Sequence, residues 1–206
     1  KTSDFSLTPL TGDASFRRYF RLQYGTTSQI VMDAPPGKED LTPFIKVNRI
    51  LEQTSLLTPK IYAQNVQEGF LLLSDLGDSL LLSQLKDHTV DKYYQSAIQM
   101  LFTMHSIDSN QVQLPHFDYD FMRKEMQACV NWFLKAYLSL NLQENEYLLL
   151  DRSFDMLAAE IANQPQVFIH RDYHSRNLMC MPNHNLAVID FQDAMLGPLT
   201  YDLVSL

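Results

Sequence analysis

The chain has 206 residues, 46% hydrophobic, 11% aromatic and 19% charged, long enough to bury a core and too apolar for a disordered or fibrous chain. Lys and Arg number 16 against 24 Asp and Glu, a formal net charge of −8 that repels phosphate backbones and anionic lipid, so neither nucleic acid nor a membrane surface is expected as a partner. The two cysteines, Cys129 and Cys180, lack metal-ligand spacing and are expected to be buried thiols in a reducing compartment, the cytoplasm. No apolar run approaches the ~20 residues of a membrane span, and the first residues lack the basic and then apolar order of a secretory signal. A start without Met and an end at Val204, Ser205 and Leu206 without any stop signal are expected of a piece of a longer chain.

In chain order, residues 16–24 read as a strand carrying Phe16, Phe20 and Leu22 on one face. Gly25 offers a turn and Ile30, Val31 and Met32 begin a second strand, so a hairpin is expected. Residues 33–37 break it, and Thr42 reads as an N-cap with Pro43 at the first helical position. The helix that follows presents Phe44, Val47, Ile50 and Leu51 on one side. Short strands are expected around 61–63 and 70–73, with 74–78 as a connector, which ends a small sheet with one helix near residue 74.

The periodicity then changes to 3.6. Tyr94, Ala97, Ile98, Leu101 and His105 share one helical face, and Met122, Met126, Cys129, Phe133 and Tyr137 another, so helices are expected from about 90 to 162. Pro165 stops them, 167–169 is β-rich, and strands at 178–181 and 186–189 flank the turn Pro182-Asn183-His184-Asn185. The order is α+β, a β-rich lobe followed by a mainly helical lobe with an inserted hairpin, and no internal repeat is present.

The informative segment is Phe168-Ile169-His170-Arg171-Asp172-Tyr173-His174-Ser175-Arg176-Asn177, followed by Asp190-Phe191-Gln192. It contains H-R-D-x-x-x-x-N, the catalytic-loop pattern of protein kinases and their relatives. At about one position in twenty for each residue type, chance produces it in roughly one chain of this length in a thousand. Phosphoryl transfer needs an aligned acceptor hydroxyl, a base for its proton, and Mg²⁺ on the β- and γ-phosphates. Asp172 fits the base, and Asn177 and Asp190 offer hard oxygens to the metal once the hairpin brings them together. The plain alternative for all three is turn capping in a loop. His170 is expected to prop the loop, and neither His105 nor His174 has a second ligand at metal spacing.

With these motifs the chain resembles the aminoglycoside phosphotransferase and choline kinase superfamily, and within it the bacterial anomeric kinases of N-acetylmuramate and N-acetylglucosamine. The closer resemblance rests on Asp13-Ala14-Ser15-Phe16-Arg17-Arg18-Tyr19-Phe20-Arg21, Val31-Met32-Asp33-Ala34-Pro35-Pro36, His170-Arg171-Asp172-Tyr173 with Arg176-Asn177-Leu178-Met179, and Asp190-Phe191-Gln192-Asp193-Ala194 with Gly197-Pro198. It implies a bilobal protein-kinase-like fold: residues 1–75 as a nucleotide-binding lobe, and 76–206 as a helical lobe with the catalytic loop, incomplete at its end. It further implies ATP and Mg²⁺ as cofactors, and a small-molecule acceptor phosphorylated at its anomeric hydroxyl. Asp202 matches an aspartate that steadies the catalytic loop in such enzymes, and the short stretch between Asp190 and Gly197 favours a small acceptor over a protein.

One departure matters. Where a phosphate-binding Lys is expected, the second hairpin strand reads Val31-Met32-Asp33, so another cation must serve. Arg17 and Arg18 are the nearest, and because neighbours on a strand face opposite ways, only one can reach the nucleotide. Alternation groups Arg18 with Phe16 and Phe20, and Arg18 is preferred. Ser15, beside the turn Thr11-Gly12-Asp13-Ala14, would cradle phosphate, and Asp75 and Leu76 in the connector would hold the base between walls that include Leu71 and Leu73. Trp132, Glu125 and Arg176 fall on the acceptor side of the resembling enzymes, with core packing the competing role for Trp132. Two other readings compete: an aminoglycoside kinase or other small-alcohol kinase, and a nucleotide-binding module without turnover, motivated by the missing Lys.

Overall fold

The computed structural model describes residues 4–10, 15–182 and 185–206. Residues 11–14 of the first turn, and Asn183 and His184 of the second, lie outside the described residues. Five antiparallel strands, β1 (Phe5–Leu10), β2 (Arg18–Tyr24), β3 (Thr27–Asp33), β4 (Ile61–Asn65) and β5 (Phe70–Ser74), form one sheet in the order β1-β2-β3-β5-β4. The expected hairpin is β2–β3, closed at the pair Tyr24 and Thr27 with Gly25 at φ +56°, the left-handed conformation a tight hairpin turn requires. The edge strand β1 has no counterpart in the sequence reading; it carries Pro9, which an edge tolerates because no ladder hydrogen bond is needed on its open side.

Register decides which side chains face which way. Pro9, Phe20, Val31, Leu72 and Ala63 align in a row across all five strands on one face. The opposite face carries Tyr19, Met32 and Leu71, with Met32 and Leu71 fully buried. This second face packs on α1 (Thr42–Leu51), which buries Phe44, Ile45, Val47 and Leu51. The α1 cap sits one residue earlier than expected: Leu41 is the N-cap without a side-chain bond, and Asp40 Oδ1 instead accepts the Thr42 N–H at 2.8 Å.

Beyond the sheet come α2 (Leu81–Gln84), α3 (Val90–His105), α4 (Tyr119–Ala128), a π-helical stretch (Cys129–Tyr137) and α5 (Glu144–Ala162). The buried stripe of α3 is Tyr93, Ala97, Met100, Leu101 and Met104, rotated from the expected one; Ile98 faces outward. The helix is apolar over much of its circumference, so periodicity alone left its inward face open. The expected face through Met122, Met126, Cys129, Phe133 and Tyr137 also breaks, because the wider π turn shifts its phase: Met122 is buried while Cys129, Phe133 and Tyr137 are exposed. Neither thiol is fully buried, contrary to expectation: Cys129 is exposed and Cys180 half-buried.

The remaining strands are short. β6 (Gln166–Ile169) pairs with β9 (Met195–Pro198), and β7 (Leu178–Cys180) with β8 (Leu186–Val188), followed by α6 (Tyr201–Ser205). The Val188 N–H donates to Leu57 O at 2.9 Å, tying the second hairpin to the loop between α1 and β4. Among the described residues no helix is long and apolar enough to cross a membrane.

Candidate active site

Strand β6 ends in buried Phe168 and Ile169, which fix the start of the loop that follows. His170 is completely buried, and its backbone N–H donates to Asp202 Oδ2 at 2.6 Å while the Arg171 N–H donates to Asp202 Oδ1 at 3.0 Å. Arg171 thereby holds the left-handed conformation, φ +78°, which turns Asp172 out of the strand direction. The Asp172 N–H donates to His170 Nδ1 at 3.3 Å, and His170 Nε2 lies 2.9 Å from Ile189 O, so the ring is neutral with its proton on Nε2. Burial pushes the imidazole down to about pKa 4, in keeping with that neutral state. Burial likewise raises Asp202 to about 6, although the two backbone N–H groups favour its charged form. Both residues support the loop from beneath.

The β7–β8 hairpin returns the chain to Asp190, which adopts φ +62°. Asn177 Nδ2 donates to Asp172 O at 3.0 Å and reaches Asp190 Oδ2 at 3.5 Å, so one carboxamide links the two aspartates. Gln192 Nε2 donates to Asp190 Oδ1 at 2.9 Å. Sequence reasoning gave Gln192 no role; the signal available was a side-chain amide two residues after the motif Asp, where chain reversal lets it fold back. Phe191 points the other way, fully buried, with its ring 4.9 Å from that of Phe44 on α1.

Asn177 and Asp190 border a cleft of about 550 Å³ whose walls also include Ser15, Arg17, Tyr19, Leu73, Leu76 and Arg176. This volume lies within the usual range of cofactor sites. The arginines divide otherwise than expected. Arg18 does group with Phe20, but that face looks away from the cleft: its side chain is 63% exposed and pairs with Asp33 across the hairpin. Arg17 shares the cleft face with Tyr19, is 13% exposed, and has its Nε 3.5 Å from Glu39 Oε2. Asp33, turned outward with Arg18, does not face the cleft, and buried Met32 takes the inward position beside it.

Asp75, Leu76 and Gly77 form part of the cleft wall, as does Leu73, whereas Leu71 is buried behind it. The Asp75 carboxylate is already engaged by Arg21, Ser28 and the Gly77 N–H. Burial opposes its ionisation, but these partners together hold it below the ordinary carboxylate value. Of the residues expected on the acceptor side, only Arg176 lines the cleft. Glu125 Oε1 instead accepts from Arg171 Nη2 at 2.8 Å, and the guanidinium lies 5.3 Å from the Phe121 ring centre. Trp132, on the π-helical stretch, is 74% exposed, so it is neither a core residue nor part of the cleft.

The arrangement offers a carboxylate for a proton, a carboxylate and a carboxamide for a hard cation, and cationic side chains in a cleft of nucleotide size. Residues 6–206 match the model of the phosphotransferase enzyme family. The chain belongs to that family. It is 42% identical over 200 residues to the N-acetylmuramate/N-acetylglucosamine kinase of Pseudomonas aeruginosa, covering 97% of this chain and 59% of that protein. The kinases of the same description from Pseudomonas putida and Neisseria meningitidis serogroup B are 37% and 34% identical, over 98% of this chain and 59% and 61% of theirs. The chain thus spans about three-fifths of the length of these relatives. In fold it is similar to the ADP-bound aminoglycoside phosphotransferase APH(2'')-Ib, with TM-score 0.66 at 16% identity over 97% of this chain and 69% of that one. The choline kinase LicA of Streptococcus pneumoniae gives the same TM-score at 15% identity, over 97% and 67%. The bilobal kinase-like architecture of this family member is therefore the expected one.

Proposed function

We propose that this family member is the larger part of an ATP-dependent kinase that phosphorylates the anomeric hydroxyl of an N-acetylated amino sugar, N-acetylmuramate or N-acetylglucosamine. The observation that carries the phosphotransferase reading is the link through Asn177, whose carboxamide joins the Asp172 backbone carbonyl to the Asp190 carboxylate, with Asn177 and Asp190 lining the nucleotide-sized cleft. The names of the relatives, at up to 42% identity over nearly the whole chain, support the sugar.

In this reading residues 1–75 form the nucleotide-binding lobe and residues 76–206 the catalytic lobe. Asp172 accepts the proton of the acceptor hydroxyl as its oxygen attacks the γ-phosphorus, the bond from that phosphorus to the β,γ-bridging oxygen breaks, and ADP leaves. His170 stays neutral and holds the Asp172 backbone, so it orients the base and does not exchange the proton. The Asp190 carboxylate and the free oxygen of Asn177 suit Mg²⁺, which takes one or two protein oxygens and completes its shell with phosphates and water. When bound, the ion neutralises charge on the β- and γ-phosphates. Gln192 fixes the carboxylate that would receive it. Arg17 and Ser15 approach the phosphates from the sheet and Arg176 from the catalytic loop, with Leu73 and Leu76 against the base. Arg17 takes the part the sequence reading gave to Arg18, and Asp75 shapes the wall through its own hydrogen bonds. The acceptor is a small molecule, and a cytoplasmic location accompanies the dependence on ATP.

The test is ATP consumption by the full-length protein against N-acetylmuramate, N-acetylglucosamine, choline and kanamycin, with phosphorus NMR of the products. Turnover confined to the two sugars, with a phosphate signal coupled to the anomeric proton, is expected. Turnover on choline or kanamycin alone, or none with any acceptor, overturns the reading.

A further inference from the structure

One side chain makes most of the hydrogen bonds that hold the connector between sheet and helices. Arg21, in the middle of β2, projects from the same face as Tyr19, and its side chain is only 17% exposed. Its Nε donates to Asp75 Oδ2 at 2.7 Å and its Nη1 to Asp78 Oδ2 at 3.0 Å. Its Nη2 reaches Asp78 Oδ1 at 2.7 Å, Asp75 Oδ1 at 3.2 Å and Gly77 O at 3.4 Å. All three guanidinium nitrogens are used, and all four oxygens of two carboxylates are satisfied by one cation. Ser28 on β3 adds a hydrogen bond of 2.5 Å to Asp75 Oδ2, and the Gly77 N–H one of 2.9 Å to Asp75 Oδ1.

The segment leaves the sheet from β5, yet its side chains are fastened to β2 and β3. Both ends of the segment are held by backbone hydrogen bonds, the Ser74 N–H donating to Lys60 O at 2.9 Å and the Cys180 N–H to Ser79 O at 2.7 Å, and between them Arg21 and Ser28 supply the side-chain fastening. Gly77 sits at φ +83° with open space where a Cβ would be, and the Asp78 side chain is 77% exposed. Asp75, Leu76 and Gly77 nonetheless form one wall of the cleft. A wall that must be ordered at the moment of binding lowers apparent affinity by the fraction of time it is correctly shaped.

We propose that Arg21 is a positioning residue for the nucleotide: by clamping Asp75 and Asp78 it keeps the connector in the shape that receives the base, so that ATP affinity depends on a side chain that does not itself line the cleft. This rests on the nucleotide-binding reading of the cleft. Positioning and simple electrostatics predict opposite signs at Asp78. Removing a carboxylate near a polyanionic nucleotide strengthens binding through space, whereas removing one arm of the clamp loosens the connector and weakens it.

The experiment is calorimetric titration of MgADP into the full-length protein, its Arg21→Gln variant and its Asp78→Ala variant. Arg21→Gln should weaken MgADP by roughly fivefold or more, and Asp78→Ala by about two- to threefold. In turnover the KM for ATP should rise for both, with the KM for the acceptor unchanged and kcat within about twofold, a split that a general loss of structure does not produce. A parent that binds no MgADP defeats the cleft reading itself. A parent that binds, with both variants equal to it or with Asp78→Ala tighter, overturns the clamp. If Arg21→Gln does not fold, the exposed Asp78 site decides alone, by the sign of its effect.

Discussion

His170 and Asp202 meet across 32 positions of the chain, with the His170 backbone N–H on Asp202 Oδ2 at 2.6 Å and both residues fully buried. The contact joins the end of β6 to α6, and burial perturbs the two groups in opposite directions. His170 is pushed down from 6.5 to about 4, and Asp202 up from 3.8 to about 6. Between pH 6.5 and 4 the unfolded chain protonates its histidine while the folded chain does not, so this stabilisation, present above 6.5, is lost as pH falls. Asp202 works the other way: the folded chain takes its proton near 6 and the unfolded chain only near 3.8, so stability is gained over much of the same interval.

Each effect amounts to roughly 3 kcal/mol, and they nearly cancel. Asp202→Asn removes the compensation. Urea unfolding of this variant should therefore show a loss of about 3 kcal/mol between pH 6.5 and 4 beyond whatever the parent shows. Parallel pH dependences in the two proteins would disprove the opposition.

Asp172→Asn keeps the size of the side chain and removes the base. Turnover should fall by about 10² or more, the usual cost of a lost general base, while MgATP binds nearly as before because in the proposed reaction Asp172 serves the acceptor and not the nucleotide. Unchanged turnover would remove Asp172 from the chemistry.

Asp190→Ala should abolish most of the Mg²⁺ dependence of nucleotide affinity, since its carboxylate is the main charge offered to the ion. Gln192→Ala, which frees Asp190 Oδ1 from its hydrogen bond, should weaken that dependence only partly. Calorimetry with and without Mg²⁺ checks both, and equal MgADP affinity in Asp190→Ala and the parent would exclude the site.

Arg17→Ala should weaken ATP about tenfold or more, the scale of one charge-assisted phosphate contact. Arg18→Ala should change it little, because its side chain faces solvent beside Asp33. The reverse ranking would mean that the cleft draws its cation from the other face of β2.

The loop His170–Asn177 and the hairpin leading to Asp190 were legible in the sequence because phosphoryl transfer fixes residue types at fixed spacing, and the short β-rich runs around them left few ways to fold. The sheet with one helix, ending at Ser74, followed equally from local pattern and turn residues, except for its edge strand β1. The direction in which a strand or helix faces was not so determined. Alternation grouped Arg18 with Phe20 correctly, but only the pairing of β2 with β1 and β3, and of α1 against one side of that sheet, decided that this face looks away from the cleft. Helix α3 likewise buries Tyr93 and Met104 in place of Tyr94 and His105, because its neighbours choose among several apolar faces. Contacts over long separations, Arg21 with Asp75 and Arg171 with Glu125, leave no local periodicity at all. Local chemistry and spacing are written along the chain, whereas facing and long-range pairing depend on which elements pack together, and only the tertiary structure sets that.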